Sequence, residues 1–132
     1  MIVIPGRPGG TPTDLRGPTF TGDVWADPVL PLTDGVLINT VTFTPGAHTF
    51  WHEHEGGQIL EIVSGSGWVC AEGEQPQSVR AGDTVWTPPG QRHWHGATAD
   101  TVMSHTAISL GSTEWHSEVS DADYPPATKG IR

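Results

Sequence analysis

Two short segments each place a pair of histidines one residue apart, His52 with His54 and His93 with His95. Side chains alternate between the two faces of a β-strand, so each pair points to one side if its segment is extended. Imidazole nitrogens that converge from two strands are good ligands for a divalent transition metal. The spacing therefore predicts a metal site to which both segments contribute.

The segment "QILEIV" that follows the first pair offers two further candidate ligands, Gln58 and Glu61. Gln58 shares its strand face with Leu60 and Ile62, whereas Glu61 lies on the opposite face. If the two aliphatic residues face the interior, Gln58 also points inward and the carboxylate of Glu61 points outward. Alternation thus favours Gln58 as a ligand, with one histidine of the second pair completing the site.

Short runs rich in β-branched and aromatic residues fill the chain from residue 36 to residue 110, and turn residues separate them. They read "VLINTVTF", "TFWHEH", "QILEIVSG", "GWVCAEG", "DTVWTPPG", "RHWHG" and "TVMSHTAISL". Gly 17 and Pro 12 in 132 residues also indicate many strands joined by turns. We expect an all-β antiparallel barrel, a double-stranded β-helix or jelly roll, with turns at "SGSG", "AGD" and "PPG" and a central cavity.

The length of 132 residues predicts one domain, residues 1–132, with an N-terminal arm at about 1–20, a barrel at about 21–112 and a C-terminal tail at about 113–132. We expect the arm to add a short edge or intersubunit strand, and we assign the tail no chemistry. The single cysteine, Cys70, and an N-terminus with neither a basic start nor a long apolar run favour a cytoplasmic location.

The charge balance limits the classes of partner. Six Lys and Arg against 15 Asp and Glu give a formal net charge of -9, whereas nucleic acids and anionic membranes require basic surfaces. No segment approaches the roughly 20 apolar residues that span a bilayer. We therefore expect a small-molecule substrate and neither a nucleic acid nor a membrane as partner.

Two motifs in the right order make the chain similar to the cupin superfamily. The first cupin motif is matched by Gly46, His52, His54, Gln58 and Gly65, and the second by Gly82, Pro88, Gly90 and His93. The match departs from the family pattern at Gln58, where a glutamate is usual, and at Ala97, where an asparagine is usual. The resemblance implies a small β-barrel that holds one divalent metal through His52, His54, Gln58 and His93.

The amide at position 58 affects the expected chemistry of that metal. Three neutral imidazoles and a neutral amide leave the charge of the cation undiminished, which favours Lewis-acid chemistry over oxidation of the metal. Oxygen and nitrogen donors suit several divalent ions, and affinity order does not choose among them. We expect Mn(II), with Fe(II), Ni(II), Co(II) or Zn(II) as the alternatives.

The segments "WHEHEGGQ", "GDTVW", "PGQRHWHGA" and "MSHTAI" resemble the small manganese-dependent cupins with hydroxynitrile lyase activity. This resemblance implies that His105 is a general base for a cyanohydrin hydroxyl, that His95 shares the pocket, and that Thr49 binds the small anion. Asn39 and Ser109 replace a small apolar residue and a glutamine of that subgroup. They predict a more polar substrate pocket. The resemblance also implies a homodimer or homotetramer.

The sequence is also compatible with two other functions. An iron-dependent dioxygenase also fits a three-histidine site, although the neutral fourth ligand counts against it. A non-catalytic cupin that binds a small ligand would use the same pocket, but the chain encodes no partner domain. The leading hypothesis is a metal-dependent lyase acting on a cyanohydrin-like or α-hydroxycarbonyl substrate.

The aromatic residues next to the ligands have structural interpretations. Trp51, Trp68, Trp86 and Trp94 alternate away from the ligands and are expected to serve packing or an interface. His48 lies beside a turn and is expected to be exposed to solvent.

Overall fold

A computed structural model describes residues 1–6 and 12–126, and all regular secondary structure within these residues is β-strand. The all-β prediction is therefore confirmed, and this part of the chain contains no helix that could cross a membrane. The strands are β1 Asp14–Leu15, β2 Phe20–Thr21, β3 Val24–Thr33, β4 Val36–Phe43, β5 His48–Thr49, β6 His52–His54, β7 Gln58–Ala71, β8 Gln77–Arg80, β9 Thr84–Thr87, β10 His93–Ala97, β11 Met103–Leu110 and β12 Thr113–Trp115.

The strands form two antiparallel sheets that enclose a common interior. The first sheet has the order β1-β3-β4-β11-β7-β9. In the second sheet β10 pairs with β7, β5 and β6, while β8, β2 and β12 extend its edges. The long strand β7 belongs to both sheets and joins them. Strand β1 adds the short edge strand expected of the arm, of which residues 7–11 lie outside the described residues.

The segment "SGSG", residues 64–67, is not a turn as predicted, because β7 runs through it without interruption. Residues before it pair with β11 and residues after it pair with β10, so the strand changes sheets at this point. Gly65 has a φ of 73°, and a Cβ there would overlap the carbonyl oxygen of Val102. The glycines therefore permit a sharp bend within one strand rather than a reversal between two strands.

Strand β3 was not predicted, because Pro28 and Pro31 interrupt its pattern. The structure accommodates the prolines through register shifts against β4, close to the edge of the first sheet. The β3–β4 hairpin turns at Asp34 and Gly35, which both have positive φ, at 51° and 80°. An Asp-Gly pair is a strong sequence signal for a β-hairpin. Asp34 and Gly35 therefore indicate that a strand precedes β4.

Two clusters of buried side chains stabilise the fold. The larger one fills the interior between the sheets and includes Phe43, Leu60 and Met103. The smaller one lies on the outer face of the second sheet, where Trp68 and Trp94 pack against Val119 of the tail. The tail therefore covers a sheet face that would otherwise meet solvent, and this explains why all five residues of β10 are buried.

The four tryptophans expected to serve packing or an interface separate into two groups. Trp68 and Trp94 are buried and Trp51 packs against them, whereas Trp86 is 55% exposed.

The expectation for His48 is wrong, because this residue is buried and its ring stacks on Tyr124 at 4.5 Å between centroids. The tail residues that cover His48 are distant in sequence, so local turn signals do not reveal its burial.

Candidate metal centre and active site

Neighbouring strands bring the two histidine pairs together. His52 of β6 is the register partner of His93 of β10, and His52, His54, His93 and His95 are all buried. The ring centroids of His52 and His93 are 4.3 Å apart. Strand alternation therefore places both pairs on the interior face, as the spacing predicts.

Backbone carbonyls fix the ring orientation of two of these histidines. The Nδ1–H of His52 donates to the carbonyl of Phe50 at 2.9 Å, and that of His93 donates to the carbonyl of Gln91 at 3.0 Å. A carbonyl can only accept, so the proton of each neutral ring lies on Nδ1. The lone pair of Nε2 is then directed into the site, which is how metal-binding histidines are commonly held.

His54 obtains the same orientation from the tail. Its Nδ1 lies 2.9 Å from Oγ1 of Thr113, the residue directly opposite His54 in the β6–β12 pairing. Its Nε2 is buried and has no hydrogen-bond partner among the described residues. The role of Thr113 cannot be predicted from the sequence, because nothing in the short segment "STEW" indicates that it pairs with the first histidine segment.

Gln58 faces the same interior, while Glu61 is exposed and accepts a hydrogen bond from Thr84 at 2.8 Å. The amide nitrogen of Gln58 donates to Oγ of Ser109 at 3.0 Å, which turns Oε1 towards Nε2 of His93 at 3.1 Å. Both of these atoms carry lone pairs and neither carries a proton. Two such atoms repel each other unless a positive charge lies beside both, so their arrangement fits a bound cation.

One buried group of possible ligand atoms contains His95. The ligand atoms of His52, His93 and His95 all lie within 4.8 Å of one another, and the ring of His54 is centred 5.0 Å from that of His52. One cavity is lined by three of the predicted ligands, His52, His54 and Gln58. The fourth, His93, belongs to the group formed with His52 and His95. The interior thus offers four imidazoles and one amide to a cation.

Burial keeps these imidazoles neutral. Removal from water lowers the pKa of His54 to about 4, and burial also lowers the pKa values of His52, His93 and His95. Mutual repulsion among the rings acts in the same direction for His52, His54 and His95. Neutral imidazoles offer lone pairs to a metal without first losing a proton.

One histidine of this cluster, His95, contacts a further buried histidine, His105. Nε2 of His105 on β11 is 2.9 Å from Nδ1 of His95, and both residues are buried. Nε2 of His95 and Nδ1 of His105 have no hydrogen-bond partner among the described residues. Burial lowers the pKa of His105 to about 4, so the pair is neutral near pH 7 and can accept a proton.

A cavity of about 340 Å³ opens onto the histidines and is lined by all three residues predicted to bind substrate, Asn39, Thr49 and Ser109. The hydroxyl of Thr49 accepts a hydrogen bond from the backbone N–H of His95 at 3.3 Å, which leaves its own proton available to a ligand. A larger groove of about 620 Å³ beside Cys70 shares none of these residues and contains no comparable cluster of histidines.

The cupin domain family model matches residues 39–109, which is more than half of the chain and includes both histidine pairs. The chain therefore belongs to the cupin family. A cupin site built from buried histidines is consistent with the orientation of the ligand atoms described above.

Individual proteins are similar to this chain in sequence or in structure. The chain is 40% identical over 123 residues to (R)-mandelonitrile lyase of Granulicella tundricola, an alignment that covers 87% of this chain and 94% of the relative. It is 37% identical to a cupin-like protein of Thermotoga maritima, with a TM-score of 0.80 and coverage of 85% and 90%. A predicted oxalate decarboxylase of Thermotoga maritima, 22% identical with a TM-score of 0.72 and coverage of 84% and 100%, supports the fold alone.

Proposed function

We propose that the chain is a metal-dependent lyase that acts on a small cyanohydrin-like or α-hydroxycarbonyl substrate. The observation that carries this proposal is the neutral, buried His95–His105 pair in a cavity shared with the cluster of possible metal ligands. The 40% identity to a mandelonitrile lyase favours a cyanohydrin within this class. The single free cysteine, Cys70, supports a cytoplasmic location.

His52, His54, Gln58 and His93 would hold one divalent ion, and Mn(II) is our first expectation. Their lone pairs are oriented by Phe50, Thr113, Ser109 and Gln91 respectively. When bound, the ion would supply a Lewis acid that stabilises negative charge on the reacting molecule. His95 remains available for proton transfer, because its Nδ1 faces His105 rather than a structural carbonyl.

His105 acts as the general base in the proposed reaction. It accepts the proton of the substrate hydroxyl, and the electrons of the O–H bond form the carbonyl of the aldehyde. The bond between the carbinol carbon and the nitrile carbon breaks, and cyanide leaves with the electron pair. The proton held by the His95–His105 pair then returns to cyanide, so one cyanohydrin gives one aldehyde and one hydrogen cyanide.

Polar residues of the cavity bind the substrate and the leaving group. Thr49 donates its hydroxyl proton to the small anion, since its oxygen already accepts from His95. The amide of Asn39 makes no hydrogen bond to another described side chain and is available to a polar substrate group. Ser109 accepts from Gln58 and retains its own proton to donate.

The experiment is a cyanide-release assay with racemic and (R)-mandelonitrile on the metal-loaded protein. We expect His105→Ala to lower kcat by about 100-fold or more while the circular dichroism spectrum is retained. His116→Ala removes a histidine that pairs with Glu53 outside this cavity, and its rate should remain that of the wild type. An unchanged rate in His105→Ala would remove His105 from the mechanism. Oxygen uptake without cyanide release would favour an iron-dependent dioxygenase.

A further inference from the structure

We infer that the substrate is an organic anion whose carboxylate pairs with Arg16 at the wall of the cavity. This inference rests on the proposed lyase function and specifies its substrate class. Arg16 is one of the residues that line the 340 Å³ cavity shared with His52, His54 and His105. It is distant from these histidines in sequence and belongs to neither of the two motifs.

The charge of the cavity wall differs from that of the whole chain. The chain has 15 Asp and Glu and a formal net charge of -9, yet no Asp or Glu of residues 1–6 and 12–126 lines this cavity. Arg16 is the one Lys or Arg among its lining residues within the described part of the chain. A divalent ion held by neutral imidazoles and an amide would add further positive charge without compensation. The cavity therefore attracts anions in a protein that otherwise repels them.

Arg16 is positioned to receive such an anion. Its backbone N–H donates to the carbonyl of Val24 at 2.7 Å, which fixes the start of its side chain between β1 and β2. The residue is half-buried, and no Asp or Glu of the described residues lies within 4.0 Å of its guanidinium. Arg92, in contrast, pairs with Glu72 at 3.4 Å. A guanidinium has five N–H donors in a planar fork, which matches the two oxygens of a carboxylate.

Aromatic side chains that line the same cavity as Arg16 indicate the rest of the substrate. Phe20 and Trp115 line the same cavity with their ring centroids 5.6 Å apart, and Trp115 lies 4.6 Å from the ring of His52. Such a wall favours contact with a flat ring. An aromatic aldehyde with a ring carboxylate, or its cyanohydrin, satisfies both the ring-binding wall and the guanidinium.

The test compares 4-formylbenzoate with its uncharged isostere 4-formylbenzamide in the addition of cyanide. We expect the ratio of kcat/KM for the acid to kcat/KM for the amide to fall about tenfold or more in Arg16→Gln, because one charge-assisted pair is lost. The use of a ratio cancels any general effect of the substitution on cyanide or on the metal. Raising the salt concentration should also reduce the preference of the wild type for the acid.

Arg80→Gln is the matched control, since it removes the same charge from an exposed position on β8 and should leave the ratio unchanged. A ratio unaffected by Arg16→Gln, with both aldehydes converted, would overturn this inference and leave the lyase function intact. If neither aldehyde is converted, calorimetric binding of the two aldehydes to the metal-loaded protein decides, while the mandelonitrile assay alone judges the lyase proposal. Tighter, Arg16-dependent binding of the acid than of the amide supports the inference, and equal binding overturns it.

Discussion

At the scale of single residues, the site depends on groups that orient the ligands as much as on the ligands themselves. A backbone carbonyl or a side-chain hydroxyl holds each proposed ligand so that one lone pair faces the interior. Such partners commonly contribute 10- to 100-fold to metal affinity. Thr113 is the most informative of them, because it comes from the tail.

We expect Thr113→Val to weaken metal binding by about tenfold, because Nδ1 of His54 would lose its partner while the shape of the side chain is retained. Competition with a fluorescent chelator measures this affinity. Thr106→Val is the control, because Thr106 is on the outer face of β11 and does not contact a proposed ligand. Its Oγ1 lies 3.5 Å from Oγ1 of Thr40. Equal affinities for the two variants would show that Thr113 does not support the ligand.

The buried histidines also predict how the metal-free protein responds to acid. Burial lowers the pKa of His105 from 6.5 to about 4, so between these values the unfolded chain binds a proton that the native chain does not. The free energy of unfolding should therefore fall as the pH drops through this range and should not change on this account above it. His105 alone contributes roughly 2 kcal/mol of loss between pH 7.5 and pH 5.

Urea unfolding of the metal-free protein at these two pH values tests the effect. His105→Gln should lose less stability between them than the wild type does. An identical loss of stability in the wild type and in His105→Gln would contradict a neutral, buried His105.

Much of the site follows from strand alternation. That rule correctly predicts that His52, His54 and Gln58 face inward while Glu61 faces outward. It does not reveal Thr113, and it does not indicate that His95 lies as close to His52 and His93 as a ligand would. These relations depend on which strands become neighbours, and no local pattern in the sequence encodes that choice.

At the scale of elements, β7 determines how the two sheets face each other. Its first half carries Gln58 into the first sheet, and its second half pairs with β10, which carries His93. The sequence predicts a turn at the glycines 65 and 67, because glycine is typical of both turns and strand bends and the pattern does not distinguish them. The sequence predicts the extended segments on both sides of these glycines. That the two segments form one strand depends on the close packing of Gly65 against Val102 and of Gly67 against Gly96.

Gly65→Ala should lower the free energy of unfolding by about 3 kcal/mol or more. The new Cβ would overlap the carbonyl oxygen of Val102. In addition, residue 65 has a φ of 73°, a conformation that is unfavourable for a residue with a side chain. Gly73→Ala separates the two effects, because Gly73 has a φ of 82° but open space around it, and should cost only about 1 kcal/mol. Urea denaturation compares them, and equal costs would argue against tight packing at the sheet crossing.

At the scale of the whole molecule, the outer face of the first sheet carries an apolar row that crosses five strands. The row consists of Leu30, Ile38, Ile108, Ile59 and Trp86, each the register neighbour of the next. These side chains point away from the cavity and are partly or largely exposed. Exposed apolar surface of this kind is typical of a protein interface, and it suits the homodimer or homotetramer expected from the family resemblance.

We expect sedimentation velocity to give an assembly of two or four chains for the wild type. Ile108→Lys places a charge at the centre of the row and should shift the protein towards the monomer. Val102→Lys changes an exposed apolar residue away from the row and should leave the assembly unchanged. An assembly unaffected by Ile108→Lys would place the interface elsewhere.

We propose above that the four oriented donors hold one divalent metal. Elemental analysis of protein purified without added metal tests it most directly. We predict close to one divalent ion per chain in the wild type and a large loss in a variant that combines His52→Ala with His93→Ala. A folded wild-type protein that contains no ion even after incubation with Mn(II), Fe(II) or Zn(II), or a double variant that retains the full content, would contradict the claim.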